Sequence, residues 1–181
     1  MAGWFLIFFT SSLLVIFVLR NDPTLKGFGL PKTSQILGVH TIIDVVDVDE
    51  RVPLLWGYLQ AKDSPLASKA AEMVATADRY QFDWRLLPAI AGKESSFGKK
   101  IPWDKEAQKP SYNAWGWGIY GDQVLSFSSW EEGIEKVGAG LRDGYLNKNL
   151  VTIEDIMRYF TPRSDGSWAR DVSFIMEQIE K

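Results

Sequence analysis

The stretch Leu87-Pro88-Ala89-Ile90-Ala91-Gly92-Lys93-Glu94-Ser95-Ser96-Phe97-Gly98 decides how this chain is read. Leu87, Ile90 and Ala91 fall at helical spacing and form one apolar face. Asp83 suits the N-cap of that helix, and Gly98 suits its stop. One further step of the same period lands on Glu94. A carboxyl group therefore occupies a position where the pattern asks for a core residue, close to the helix end. Burial disfavours the ionised form of such a group. A carboxylic acid that keeps its proton near neutral pH can protonate a leaving oxygen. The same spacing also fits a glutamate that pairs with a nearby lysine or caps another element.

Helices are expected on both sides of this one. The pattern turns helical from Pro53 onward. Ser64 followed by Pro65 suits an N-cap with proline at the first helical position. Leu66, Ala70, Met73, Val74 and Ala77 then supply an apolar stripe. Downstream, Ser128…Glu131 and Ser129…Glu132 both fit a capping box, with Ile134, Val137, Leu141 and Tyr145 as the stripe. Thr152 is expected to cap another helix, with Glu154 and Asp155 in its first turn, where negative charge suits the helix dipole. Asp165-Gly166 marks a turn, and Ser167 is expected to cap a last helix that turns Trp168, Val172, Ile175 and Ile179 inward. The expected fold class is mainly α, over a globular domain of residues 53–181.

The chain begins differently. Ala2 to Leu19 holds no charged residue and is dominated by Phe, Leu, Ile and Val, and Arg20 ends the run. About 18 such residues are just enough to cross a bilayer as a helix. A cleaved signal peptide is the competing reading, but it asks for a basic start and a small-x-small cleavage site. Only Met1 precedes the run, and Leu19-Arg20-Asn21-Asp22-Pro23 follows it. Residues 1–20 are therefore read as an uncleaved transmembrane anchor in preference to a signal segment. Arg20, Lys26 and Lys32 lie just after the anchor, and the positive-inside rule then favours a cytoplasmic domain. Three scattered charges make that bias a weak one. Residues 21–52 read as a linker and extended arm. Pro23, Gly27, Gly29 and Pro31 break periodicity, and the β-branched stretch from Val39 to Val48 suits a short strand or arm. His40, the single histidine, reads as a linker or surface residue.

Composition removes several classes of function. There is no cysteine, so disulfides, thiolate nucleophiles and Cys-based zinc sites are excluded. The formal net charge is -3 with no basic block, which lacks the footprint of a nucleic-acid binder. One histidine gives a His-rich metal site or a Ser-His-Asp arrangement little to build on. No metal or organic cofactor is implied. Eight tryptophans are unusually many. They suit core packing, or the stacking of flat rings against the C–H face of sugars.

The segment from Leu87 to Gly98 resembles the catalytic helix of the lysozyme-like superfamily. Lytic transglycosylases and the bacterial endo-β-N-acetylglucosaminidases (mannosyl-glycoprotein endoglucosaminidase-like) share a hydrophobic helix that ends in Glu-Ser and is followed by an aromatic residue or glycine. Tyr112-Asn113-Ala114-Trp115-Gly116-Trp117-Gly118-Ile119-Tyr120 is similar to the Asn- and Gly-rich segment that lines their cleft. Phe127-Ser128-Ser129-Trp130-Glu131-Glu132-Gly133-Ile134 resembles the helix start that follows. Tyr159-Phe160-Thr161-Pro162 with Trp168 matches the closing pattern of the glucosaminidase-like branch. The resemblance spans about residues 64–180, and the ordered set of four segments carries it. It implies a lysozyme-like helical domain that cleaves the β-1,4 link between N-acetylmuramic acid and N-acetylglucosamine in peptidoglycan, with Glu94 as general acid. It also places Tyr112, Asn113, Trp115, Trp117 and Tyr120 near the sugar. Aromatic rings supply stacking area, an Asn side chain both donates and accepts, and Gly116 and Gly118 permit close approach to the backbone. A tight turn with core tryptophans reads the same residues without a ligand.

Two departures from the family pattern bear on mechanism. The transglycosylases usually continue with Gly-Leu-Met-Gln, whereas this chain has Gly118-Ile119-Tyr120-Gly121-Asp122-Gln123. No second carboxylate is marked, although two-carboxylate glycosidases need one across the cleft. Asp104, Glu106 and Asp122 are the candidates. Attack by the substrate's own N-acetyl oxygen is the alternative, with Tyr112 or Tyr120 stabilising the developing positive charge. Three classes of function are open: a membrane-anchored enzyme facing the cell wall, a module that holds a glycan without cutting it, and a membrane scaffold that meets only protein partners.

Overall fold

A computed structural model describes residues 49–118 and 125–180. The proposed anchor at residues 2–19, the arm up to residue 48, and His40, Tyr120 and Asp122 lie outside the described residues. Among the described residues no helix is long and apolar enough to cross a membrane.

The domain is mainly α. In chain order it contains α1 (Arg51–Ala61), a 3₁₀ turn at Ala67–Lys69, α2 (Ala70–Tyr80), α3 (Leu86–Ser95), a hairpin of β1 (Trp103–Asp104) and β2 (Lys109–Pro110), α4 (Trp130–Gly144), a 3₁₀ turn at Leu146–Lys148, α5 (Ile153–Phe160) and α6 (Ser167–Ile179). The central packing pairs are α3 with α6 and α2 with α4, and α1 and α5 close the flanks against α2 and α6. Helix α3 is buried almost all round over Leu86–Ala91, which makes it the axis about which the other elements gather. Most of the expected stripes are recovered: Leu66, Ala70, Met73, Val74 and Ala77 are buried, as are Ile134, Val137 and Leu141 on α4 and Trp168, Val172 and Ile179 on α6, while Ile175 is only partly buried and Tyr145, also partly buried, lies just past the end of α4.

The caps differ from the expectations in instructive ways. Ser64 does bend the chain, since its Oγ accepts from Leu66 N at 3.1 Å and donates to Phe97 O at 2.8 Å. The turn it opens is 3₁₀, however, and the α-helix starts only at Ala70. Asp83 is not the N-cap of α3: that position is Arg85, with no side-chain cap, and the Asp83 carboxylate accepts from Arg85 N at 3.0 Å, three residues before Leu86. The two overlapping boxes at α4 are merged: Ser129 accepts from Glu132 N, while the Glu132 carboxylate reaches back to the backbone and hydroxyl of Ser128 at 2.6 Å each. Thr152 and Asp155 form a complete capping box at α5, worth about 1 kcal/mol. Ser167 is not the cap of α6. The cap position is Gly166, at φ 92°. Ser164 Oγ accepts from Trp168 N at 3.2 Å, and Asp165 accepts from Ser167 N at 3.0 Å.

The hairpin has no counterpart in the sequence reading, because strands of two residues are too short to show alternation. Its turn is closed by the Asp104 carboxylate, which accepts from Glu106 N at 3.0 Å and Ala107 N at 2.9 Å.

Candidate functional site

The site begins with the way α3 ends. Ser95, buried, donates from its hydroxyl to Ala91 O at 2.9 Å and accepts from Gly98 N at 2.8 Å. Ser96, Phe97 and Gly98 then all adopt left-handed backbone conformations, which a helix C-terminus favours. The chain folds back so tightly that the Phe97 ring lies on Gly92, where a Cβ would come within 2.5 Å of it. The serine of the Glu-Ser pair is therefore a structural stop, and it leaves Glu94 in the last turn of a rigid helix.

Glu94 is exposed and does not occupy the core position that its spacing suggested. The periodicity is right about direction and wrong about depth. Seven residues at about 100° each bring Glu94 nearly back over Leu87, two turns earlier. Leu87 is fully buried, but the cover over that face of α3 ends before position 94, while Ser95 on another face stays buried. The carboxylate instead lies on the rim of the core, with protein on two sides. Its Oε1 accepts the indole N–H of Trp168 at 2.6 Å. Its Oε2 faces Gly116, where a Cβ would lie 3.1 Å away.

The loop that brings Gly116 there is organised by Asn113. This side chain is 1% exposed. Its amide donates to Trp117 O at 2.7 Å and to Leu125 O at 2.9 Å. Its oxygen accepts from Trp117 N at 3.0 Å and Trp115 N at 3.3 Å. Every polar atom of the side chain is spent on the loop itself, so the expectation that Asn113 meets an N-acetyl group is corrected: it shapes the loop. Trp115 is also corrected. It is fully buried, with its indole donating to Leu87 O at 3.0 Å, so it offers no ring face to a sugar. It clamps the loop onto α3 instead.

Trp117 is half-buried and packs against Gly140 of α4, so closely that no side chain fits at that position. It meets Tyr145 edge-on, with ring centroids 6.2 Å apart, and Phe160 at 5.8 Å; Phe160 in turn lies 5.3 Å from Trp168. A continuous row of rings therefore runs from Tyr145 through Trp117 and Phe160 to Trp168, and ends at the Glu94 carboxylate. Tyr112 is half-buried at φ 51° and meets Trp130 edge-on at 5.2 Å. Neither Tyr112 nor Trp130 joins that row.

The carboxylates considered as partners of Glu94 are placed as follows. The Asp104 carboxyl is held below its ordinary range, first by the backbone N–H of Ala107, and serves its own turn. Glu106 is exposed on the same turn. The hydrogen bond from Trp168 to Glu94 is a contact that the sequence reading did not assign. The available signal was the inward position of Trp168 on α6, because a buried indole N–H requires an acceptor.

No protein-family model, no curated protein and no solved structure matches this chain.

Proposed function

We propose that this is a lysozyme-like helical domain that cleaves the glycan strand of peptidoglycan or a related amino-sugar polymer, with Glu94 as the general acid. The observation that carries this reading is convergence. Glu94, Gly116 and Trp168 are distant in sequence, yet the carboxylate of the first lies between the other two. A solvent-accessible carboxylate at a helix end, fixed by a donor and faced by a glycine, can meet a glycosidic oxygen on the side that Gly116 leaves open. The half-buried rings of Tyr145, Trp117 and Phe160, which lead to Trp168, add partly exposed ring surface beside it, of the kind that suits pyranose faces. With the N-terminal segment read as an anchor, the domain acts on the wall from the membrane.

In the proposed step, Glu94 protonates the oxygen that leaves the anomeric carbon. Either water or the substrate's own N-acetyl oxygen then captures that carbon. Purified peptidoglycan incubated with the full-length chain should lose turbidity, and Glu94→Gln should not clear it. Clearance by the variant at the wild-type rate removes Glu94 from the mechanism.

A second reading is a module that binds the glycan without cutting it. The placement of Asp104 favours it, since that carboxylate is engaged by its own turn. It predicts affinity for chitin oligomers with no product from any substrate.

A further inference from the structure

The two oxygens of Glu94 are not equivalent. Oε1 accepts from an indole N–H at 2.6 Å, while Oε2 lies beside the open α-carbon of Gly116. An indole nitrogen donates and has no lone pair to offer. The oxygen it points at is therefore held as an acceptor, and a carboxyl proton belongs on the other one.

Trp168 has little freedom to withdraw. It is 3% exposed and packed on Phe160. It sits in the first turn of α6, where its backbone N–H is tied to Ser164 Oγ. Helix α6 packs along α3, and an ion pair from Lys93 to Asp171 at 2.5 Å joins the two helices beside the site. The other fully buried indole of the domain, Trp115, satisfies its N–H with a backbone carbonyl. Trp168 instead donates to the candidate acid.

We infer that Trp168 is a positioning residue for glycan cleavage, orienting Glu94 so that Oε2, next to Gly116, is the oxygen that delivers the proton. This rests on the reading of Glu94 as the general acid. In the step, the proton passes from Oε2 to the glycosidic oxygen. The bond between the anomeric carbon and that oxygen breaks, and its electron pair stays with the leaving oxygen. Water supplies the new bond at carbon and releases a proton to solvent, or the N-acetyl oxygen closes onto carbon as an oxazolinium that water then opens, again releasing a proton to solvent. Glu94 is left as a carboxylate, and the Trp168 N–H becomes a charge-assisted donor to it. The donor is in place before charge develops, which is how a preorganised group favours the transition state.

The test replaces the N–H while keeping the ring. Full-length Trp168→Phe is compared with a chain carrying 3-benzothienylalanine at position 168, which keeps the bicyclic shape and has sulfur in place of N–H. Both are assayed on purified peptidoglycan beside the wild type and Glu94→Gln. Loss of kcat on the order of tenfold to a hundredfold in the benzothienyl chain, with KM within about twofold, is the expected result. The benzothienyl chain answers the question even if Trp168→Phe does not fold. Wild-type kcat in that chain would overturn the role of Trp168 while leaving Glu94 in place, provided Glu94→Gln is inactive. Full activity in Glu94→Gln, or no cleavage by the wild type, would overturn both.

Discussion

Gly116 is held against the carboxylate of Glu94, so that a Cβ added at position 116 would lie 3.1 Å from Oε2. Its φ of 63° is also one that L-residues adopt only at a cost of roughly 1–2 kcal/mol. Two penalties therefore meet in Gly116→Ala. Activity on peptidoglycan should fall by more than tenfold, as an order-of-magnitude expectation, with stability lower by about 1–2 kcal/mol. Urea denaturation and initial rates separate the two effects. An alanine variant of normal rate would mean that the space beside Oε2 is not used.

Asn113 makes the opposite prediction. Its four hydrogen bonds all serve the loop, so Asn113→Ala removes the partner of the Trp115 and Trp117 N–H groups and of the Trp117 and Leu125 carbonyls. A loss on the order of 1–3 kcal/mol is expected for each group left unsatisfied. Unaltered stability with a raised KM would instead show that the side chain touches substrate.

The two tryptophans that flank Gly116 should respond differently to sugar. Trp117 is half-buried in the ring row, while Trp115 is sealed in the core. In an indole N–H spectrum, chitin oligomers should move the Trp117 signal by more than the Trp115 signal. A larger movement of Trp115 would contradict the assignment.

Acid should act on the start of α4. The Lys69 ammonium beside Glu131 holds that carboxyl down to about 2, helped by its own backbone N–H and the Ser129 hydroxyl. Because the folded value is depressed, its contribution to stability is full above the ordinary carboxylate range. That contribution is lost as pH falls through about 2. Both partners are partly exposed, so the effect weakens with salt. Lys69→Met should bring the Glu131 titration, followed by carboxyl carbon NMR, back toward 4.5. An unmoved midpoint would show that the lysine is not the cause.

Much of the helical framework was legible because amphipathic stripes report burial directly. Leu66 to Ala77 on one side, and Ile134 to Leu141 on the other, are buried as their spacing demands. The capping box of Thr152 and Asp155 is likewise where its residue types put it. Periodicity reports direction around a helix and carries no information on how far along each face the packing extends. That is why the spacing points Glu94 inward although the residue lies on the rim. For a similar reason Asn113 and Trp115 looked like ligand-facing residues. Composition shows that polar and aromatic groups are gathered in a loop, whereas their hydrogen bonds to Trp117, Leu125 and Leu87 appear only once the loop is folded. The link from Trp168 to Glu94 spans 74 residues, beyond any local pattern.

The measurement that tests the central claim most directly is mass spectrometry of peptidoglycan digested by the full-length chain beside Glu94→Gln. Glycan fragments from the wild type alone are predicted, and a reducing or anhydro end would distinguish hydrolysis from transglycosylation. Equal fragments from both proteins, or none from a folded wild type, would contradict the claim that Glu94 is the acid of a glycan-cleaving enzyme.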